Sequence, residues 1–203
     1  MVKGVLGFDD CCVIRIRIPW TNGRRQDSPT SKGERIMGGK NSKLIKAGKE
    51  SNIEEVKAMI KNGADVNSKD EGGYSVLSLA AALGRTEVMK ILLEADSDVH
   101  SKNKYGETAL TLAAFNGHAD ILTILIKSGS DVNSKDRYDR TALSWTANFG
   151  HVREGKMLID AGADINHKDK EGMTAISLAA EKGRTDSVKM LIDAGADINS
   201  KAK

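Results

Sequence analysis

The groups best suited to moving protons in this 203-residue chain are four histidines, His100, His118, His151 and His167. Ser144 stands seven residues before His151, so the two could serve as nucleophile and base; Glu154, next to apolar residues, could supply an acid. A hydrolytic site of that kind also needs an orienting group and an oxyanion donor, and the sequence marks neither. No His-x-x-x-His or Cys-x-x-Cys spacing is present, so no zinc site is expected, and no glycine-rich phosphate loop suggests a nucleotide cofactor. Cys11 and Cys12 are the only cysteines; adjacent thiols could be reactive but build no disulfide framework.

Recognition chemistry has a clearer signature. Eight residues are aromatic, and six of them fall in one stretch: Tyr74, Tyr105, Phe115, Tyr138, Trp145 and Phe149. Trp145 and Phe149 are i and i+4, which on a helix is one face. Charged side chains stand beside them: Lys104, Glu107, Arg137, Arg140, Lys170 and Glu171, with Met173 following. An aromatic centre with a charged rim is the composition of a protein-binding surface. Tyr105 and Tyr138 are 33 residues apart, and that interval organises the elements that must hold them.

Residues 103–135 read NKYGETALTLAAFNGHADILTILIKSGSDVNSK, and similar units begin at Asp70, Asp136 and Asp169. A fixed period of this size means stacked supersecondary units rather than one closed core. Each copy opens with a turn and then an N-capping hydroxyl residue: Ser75, Thr108, Thr141 or Thr174. A short, alanine-rich helix follows and ends at Gly84, Gly117, Gly150 or Gly183. A bulkier second helix comes next, exemplified by Ile121, Leu122, Ile124, Leu125 and Ile126, and then an Asp-Val/Ile-Asn run leads to the next turn. Small first helices and larger second ones make a wedge, so the stack should curve with the turn tips and short helices on its concave side.

The pattern GxTALxLAAxxGHxDILxxLIxxGxDVN resembles the ankyrin repeat, over about 165 of the 203 residues when a weaker copy at 38–69 is counted. The proline that usually follows the capping threonine is replaced by Val76, Ala109, Ala142 and Ala175; alanine, a good helix former, fits that place well. The resemblance implies an all-α solenoid of helix–turn–helix units joined by β-turn fingers, and a non-catalytic protein-interaction module. It also implies that His118 and His151 are structural hydrogen-bonders, and that Phe115 and Phe149 occupy variable places exposed on the concave side.

Charge and composition set further bounds. The net charge of +3 comes from 31 basic and 28 acidic residues; residues 1–42 hold 8 basic and 4 acidic ones, and the rest hold 23 and 24. The repeats are therefore not a polyanion binder by net charge. Val5-Leu6-Gly7-Phe8 is too short for a signal peptide and runs into Asp9-Asp10, and no apolar run approaches membrane-spanning length. The expectation is a cytoplasmic monomer, with secretion by a signal-independent route left open.

Residues 1–36 lie outside the repeat. Val13 to Ile18 alternates apolar and basic residues as a strand does, and Arg24 to Glu34 is polar. Lys32-Gly33-Glu34 can be encoded with a GGAG run, a bacterial ribosome-binding sequence, just upstream of Met37. We therefore read Met37 as the natural start, 1–36 as a non-native leader and the source as bacterial; codons 32–34 without a purine-rich match would remove the argument.

Residues 37–69 read as a degenerate capping unit in which Val56, Ala58, Met59 and Ile60 keep one apolar stripe. Four full copies follow at 70–102, 103–135, 136–168 and 169–202. Asp96 and Asp139 stand where other copies have glycine, and aspartate tolerates the left-handed conformation better than most residues. In the copy at 136–168 Trp145 replaces Leu, and Gly155 sits inside the second helix; Trp145 is expected to fill the space that Gly155 vacates. In the last copy Glu181, Lys182, Ser187 and Lys189 are expected on the surface. His100 and His167, near the finger bases, are expected to be exposed.

The function expected from this sequence is binding of a protein partner through Tyr74, Lys104, Tyr105, Glu107, Phe115, Arg137, Tyr138, Arg140, Phe149 and Met173. Two other classes compete with it: a hydrolase around Ser144, His151 and Glu154, and a nucleic-acid binder using the basic leader.

Overall fold

The computed structural model describes residues 39–200. The leader, Cys11 and Cys12, and the start read at Met37 lie outside the described residues. Among those described are ten helices and no strand. The helices fall into five pairs: α1 (Lys40–Glu50) with α2 (Ile53–Lys61), α3 (Val76–Ala82) with α4 (Thr86–Glu94), α5 (Ala109–Asn116) with α6 (Ala119–Lys127), α7 (Ala142–Phe149) with α8 (Val152–Asp160), and α9 (Ala175–Glu181) with α10 (Thr185–Asp193). Odd-numbered helices stack on one another and even-numbered helices form a second row, so the fold is an all-α repeat solenoid.

Local chemistry starts each short helix. The hydroxyls of Ser75, Thr108, Thr141 and Thr174 accept the amides of Ser78, Thr111, Ser144 and Ser177 at 3.1–3.4 Å. The core then repeats with the period: Leu92, Leu125, Leu158 and Leu191 are each fully buried, as are Leu77, Leu110 and Leu143. Burying one such side chain is worth roughly 2 kcal/mol. Small residues set the approach of neighbouring pairs. A Cβ on Gly48 would stand 2.6 Å from a methyl of Val76, which lets α1 lie against α3.

Side chains tie each unit to the next. Asn67 Oδ1 accepts the amide of Asp98, Asn133 that of Asp164 and Asn166 that of Asp197, each at 2.8 Å, while Asn41 accepts that of Asp65 inside the first unit at 2.9 Å. At the corresponding place in the copy at 70–102 stands His100, which is exposed. A second tie comes from His118 and His151. Their Nε2 atoms lie 3.2 Å from the carbonyls of Ala82 and Phe115 in the preceding unit, and Arg184 Nε makes the corresponding bond to Asn148. The His151 ring passes within 2.8 Å of where a Cβ on Gly117 would be, and Gly117 has φ +69°; only glycine meets both demands. Asp96 and Asp139 indeed adopt φ 59° and 62°.

Several expectations need correction. In the first pair the buried residues are Leu44, Ala47, Gly48 and Val56; Met59 and Ile60 are half-buried and Ala58 is exposed. Ser187 is buried rather than exposed, since it occupies the apolar stripe position of Val88 and Ile121. His100 is exposed, but His167 is half-buried, with Nε2 2.6 Å from the carbonyl of Asp139. A Cβ on Gly155 would meet Met190 Cε at 2.8 Å and Thr146 Oγ1 at 3.3 Å. The space that Gly155 leaves is therefore taken by Met190 of the next unit and by Thr146, not by Trp145.

Candidate functional site

The fingers are built from one device. Asp70, Asn103, Asp136 and Asp169 each turn a side-chain oxygen back onto two amides, two and four residues on, at 2.8–3.0 Å. Such Asx turns fix the backbone without a strand. Successive fingers are bonded to each other: the amide of Lys104 donates to Gly72, that of Arg137 to Tyr105, and that of Lys170 to Tyr138, at 2.9–3.1 Å. Residues one repeat apart are thereby held in register along the array.

That register lines up the aromatic side chains with two guanidinium groups. The Tyr74 and Tyr105 rings lie 6.4 Å apart. Arg137 sits over Tyr105 at 4.5 Å and over Tyr138 at 5.0 Å. Arg140 sits over Tyr138 at 4.6 Å and over Trp145 at 4.1 Å. Trp145 then meets Phe115 edge-on at 5.1 Å and stacks on Phe149 at 6.0 Å; Phe115 and Phe149 are 4.6 Å apart. Phe149 stacks in turn on His151 at 6.1 Å. The result is an unbroken series of rings and cations over three repeats. Each cation–ring contact contributes roughly 0.5–2 kcal/mol, depending on how far it is removed from water.

Seven of the expected binding residues join this series: Tyr74, Tyr105, Phe115, Arg137, Tyr138, Arg140 and Phe149. Lys104 is exposed on the finger beside Tyr105. Met173 is half-buried at the start of α9, its amide held by Asp169. Two rim assignments change. Glu107 is not on the surface: it is 4% exposed and accepts Asn103 Nδ2 at 2.7 Å. Burial pushes its carboxyl above the ordinary range, opposed by the Asn103 bond; Asp136 adds to the rise, while Arg140 and Arg137 oppose it. Arg140 is not a loose rim charge, because its Nη2 and Nε both bind Asp136 Oδ2 at 3.0 Å, on a carboxylate that is almost wholly buried.

Trp145, which shares a helix face with Phe149, is a packing residue at the heart of this series. It is 4% exposed, lies at the centre of the ring cluster, and its indole N–H has no hydrogen-bond partner. A buried donor left unpaired costs about 1–3 kcal/mol.

The hydrolytic arrangement does not assemble. Ser144 is 2% exposed and its hydroxyl lies 3.3 Å from that of Thr141 in the helix cap, while the His151 ring is committed to the Phe115 carbonyl. Glu154 is buried in α8. Among the described residues no cluster of three or more His, Cys, Asp or Glu side chains could hold a metal ion, and no helix is long and apolar enough to cross a membrane. The nucleic-acid alternative rests on the leader, outside the described residues.

A family model described as ankyrin repeats (3 copies) matches residues 44–136 and 128–202. No curated protein matches the chain significantly.

Proposed function

Because this chain belongs to the ankyrin-repeat family, whose members are generally non-catalytic protein–protein interaction modules, we propose that it binds a protein partner on the side formed by its fingers and short helices. The observation that carries the reading is the continuous series from Tyr74 to Phe149, in which guanidinium groups are already packed between tyrosine rings. Side chains held in this way lose little freedom when a partner docks, so more of the contact energy appears as affinity. Tyrosine, arginine and large rings are also the side chains that dominate interface energetics. Tyr105, 41% exposed, and the half-buried Tyr138, Phe115 and Phe149 are the proposed anchors, Lys104 and Arg137 the rim, and Met173 the far edge. The protein acts as a monomer in this reading.

The test is paired affinity capture from an extract of the source cells, with the chain beside a Tyr105→Ala/Tyr138→Ala/Phe149→Ala variant of matched circular dichroism. Proteins held by the first and lost by the second support the surface. Identical captures would sink it. For an identified partner, Phe149→Ala or Tyr138→Ala should each weaken binding by roughly 2 kcal/mol.

A further inference from the structure

The finger tips carry one charge pattern in register. At the first exposed turn position, four successive copies have Glu71, Lys104, Arg137 and Lys170; at the next they have Gly72, Tyr105, Tyr138 and Glu171. All four residues of the first row are exposed, as is Glu171. The three cations follow one another along the fingers. The Lys170 ammonium reaches the Arg137 carbonyl at 2.6 Å, and the Arg137 amide is bonded to the finger that carries Lys104. Among the described residues no carboxylate lies within ion-pair distance of Lys104, Arg137 or Lys170. The acids beneath them, Asp136 and Asp169, are buried and spent on backbone amides, and Asp136 also on Arg140.

The rings beside these cations already carry cations. Arg137 lies over both Tyr105 and Tyr138, and Arg140 covers Tyr138 as well. A base needs a free ring face to stack on, and two guanidinium groups already lie over Tyr138 and one over Tyr105. A guanidinium stacked on rings keeps its N–H edge free for oxygen acceptors, and that edge fits a carboxylate in two-point geometry. Glu71 at one end and Glu171 at the other repel a long polyanion and limit the anionic stretch to about three charges. Spacing narrows the ligand further. Packed helices are about 8–10 Å apart, so the backbone positions that carry these cations, one repeat apart, are separated by about that distance. A polyproline-II segment rises about 3.1 Å per residue and presents every third side chain on one face.

We propose that the row Lys104, Arg137 and Lys170 takes an extended acidic peptide segment of the partner, with a carboxylate at about every third residue. This rests on the protein-binding reading and names the chemistry of its ligand.

The experiment is selection of displayed random dodecapeptides on the full-length chain. Counter-binding uses the Tyr105→Ala/Tyr138→Ala/Phe149→Ala variant and a Lys104→Glu/Arg137→Glu/Lys170→Glu variant, both checked for native circular dichroism. The expected result is peptides with acids three residues apart whose affinity falls roughly tenfold or more on charge reversal and weakens with added salt. Peptides that need the rings but are neutral and indifferent to charge reversal would overturn this inference and leave the protein-binding reading standing. Selection of no ring-dependent peptide would overturn both. A 15-residue oligouridine that binds the chain more tightly than the selected peptides, with the same dependence on the three cations, would overturn the acidic-peptide assignment in favour of nucleic acid.

Discussion

Glu107 and Arg140 occupy adjacent places in the fingers, and both differ from what their charges suggest. Glu107 is buried, and loss of water raises its carboxyl above the ordinary range. The folded state therefore holds the proton more tightly than the unfolded state. Stability contributed this way is present at acidic pH and is lost as pH rises through the raised pKa. Glu107→Gln keeps an oxygen for Asn103 and removes the penalty. Its stability relative to the parent, from urea unfolding, should grow as pH rises from the ordinary carboxylate range and then level off. A gap that does not change with pH would contradict the burial argument. Arg140 covers a buried carboxylate. Arg140→Met should cost about 3 kcal/mol, because Asp136 Oδ2 is left unpaired. Asp136→Asn in the same chain should return much of that loss, since Asn103 already performs the turn's hydrogen bonding in the neighbouring finger.

At the scale of elements, caps, helix ends and inter-unit histidines were legible because each depends on a short local pattern that recurs. Thr141 caps α7 and Gly150 ends it, as the residue types imply, and His151 reaches back to Phe115, a structural bond of the kind the family resemblance implies. What was not legible are contacts between units. The vacancy at Gly155 is filled by Met190, and nothing in the copy at 136–168 points to a side chain one unit on. Polarity misled in the same way: Glu107 and Ser187 are polar by type but sit on buried faces, because the fold assigns burial by position in the period. Of the expected binding residues, most lie in one series because the turn spacing puts them in register, and Trp145 packs beneath them. The exposed His100 interrupts the row of Asn bonds. His100→Asn should bond the amide of Asp131, add about 1 kcal/mol of stability and slow hydrogen exchange at that amide. Unchanged exchange at Asp131 would show that the bond does not form.

Across the whole array, each unit is covered by neighbours on both sides except at the two described ends. The last pair leaves Ile192 and Ile198 exposed, 49% and 68%, where the equivalent Ile159 and Ile165 are half-buried. Stability in such a stack is a sum of unit and interface contributions. Native-state hydrogen exchange should therefore show α1, α2 and α10 opening at lower free energy than α5 and α6. Uniform protection across all ten helices would mean that the array unfolds as one cooperative block.

The ties between units also have a mechanical meaning. Tension applied to the two ends of a stack passes through its seams in series, and the least-tied seam parts first. Among the described units that seam lies between 37–69 and 70–102: Arg85 Nε, in the place of His118 and His151, makes no bond, and no finger amide bond of the Lys104–Gly72 kind is made there. A pull along the array would release α1 and α2 while the series from Tyr74 to Phe149 stayed whole, so the first helix pair would act as a fuse placed outside the binding surface.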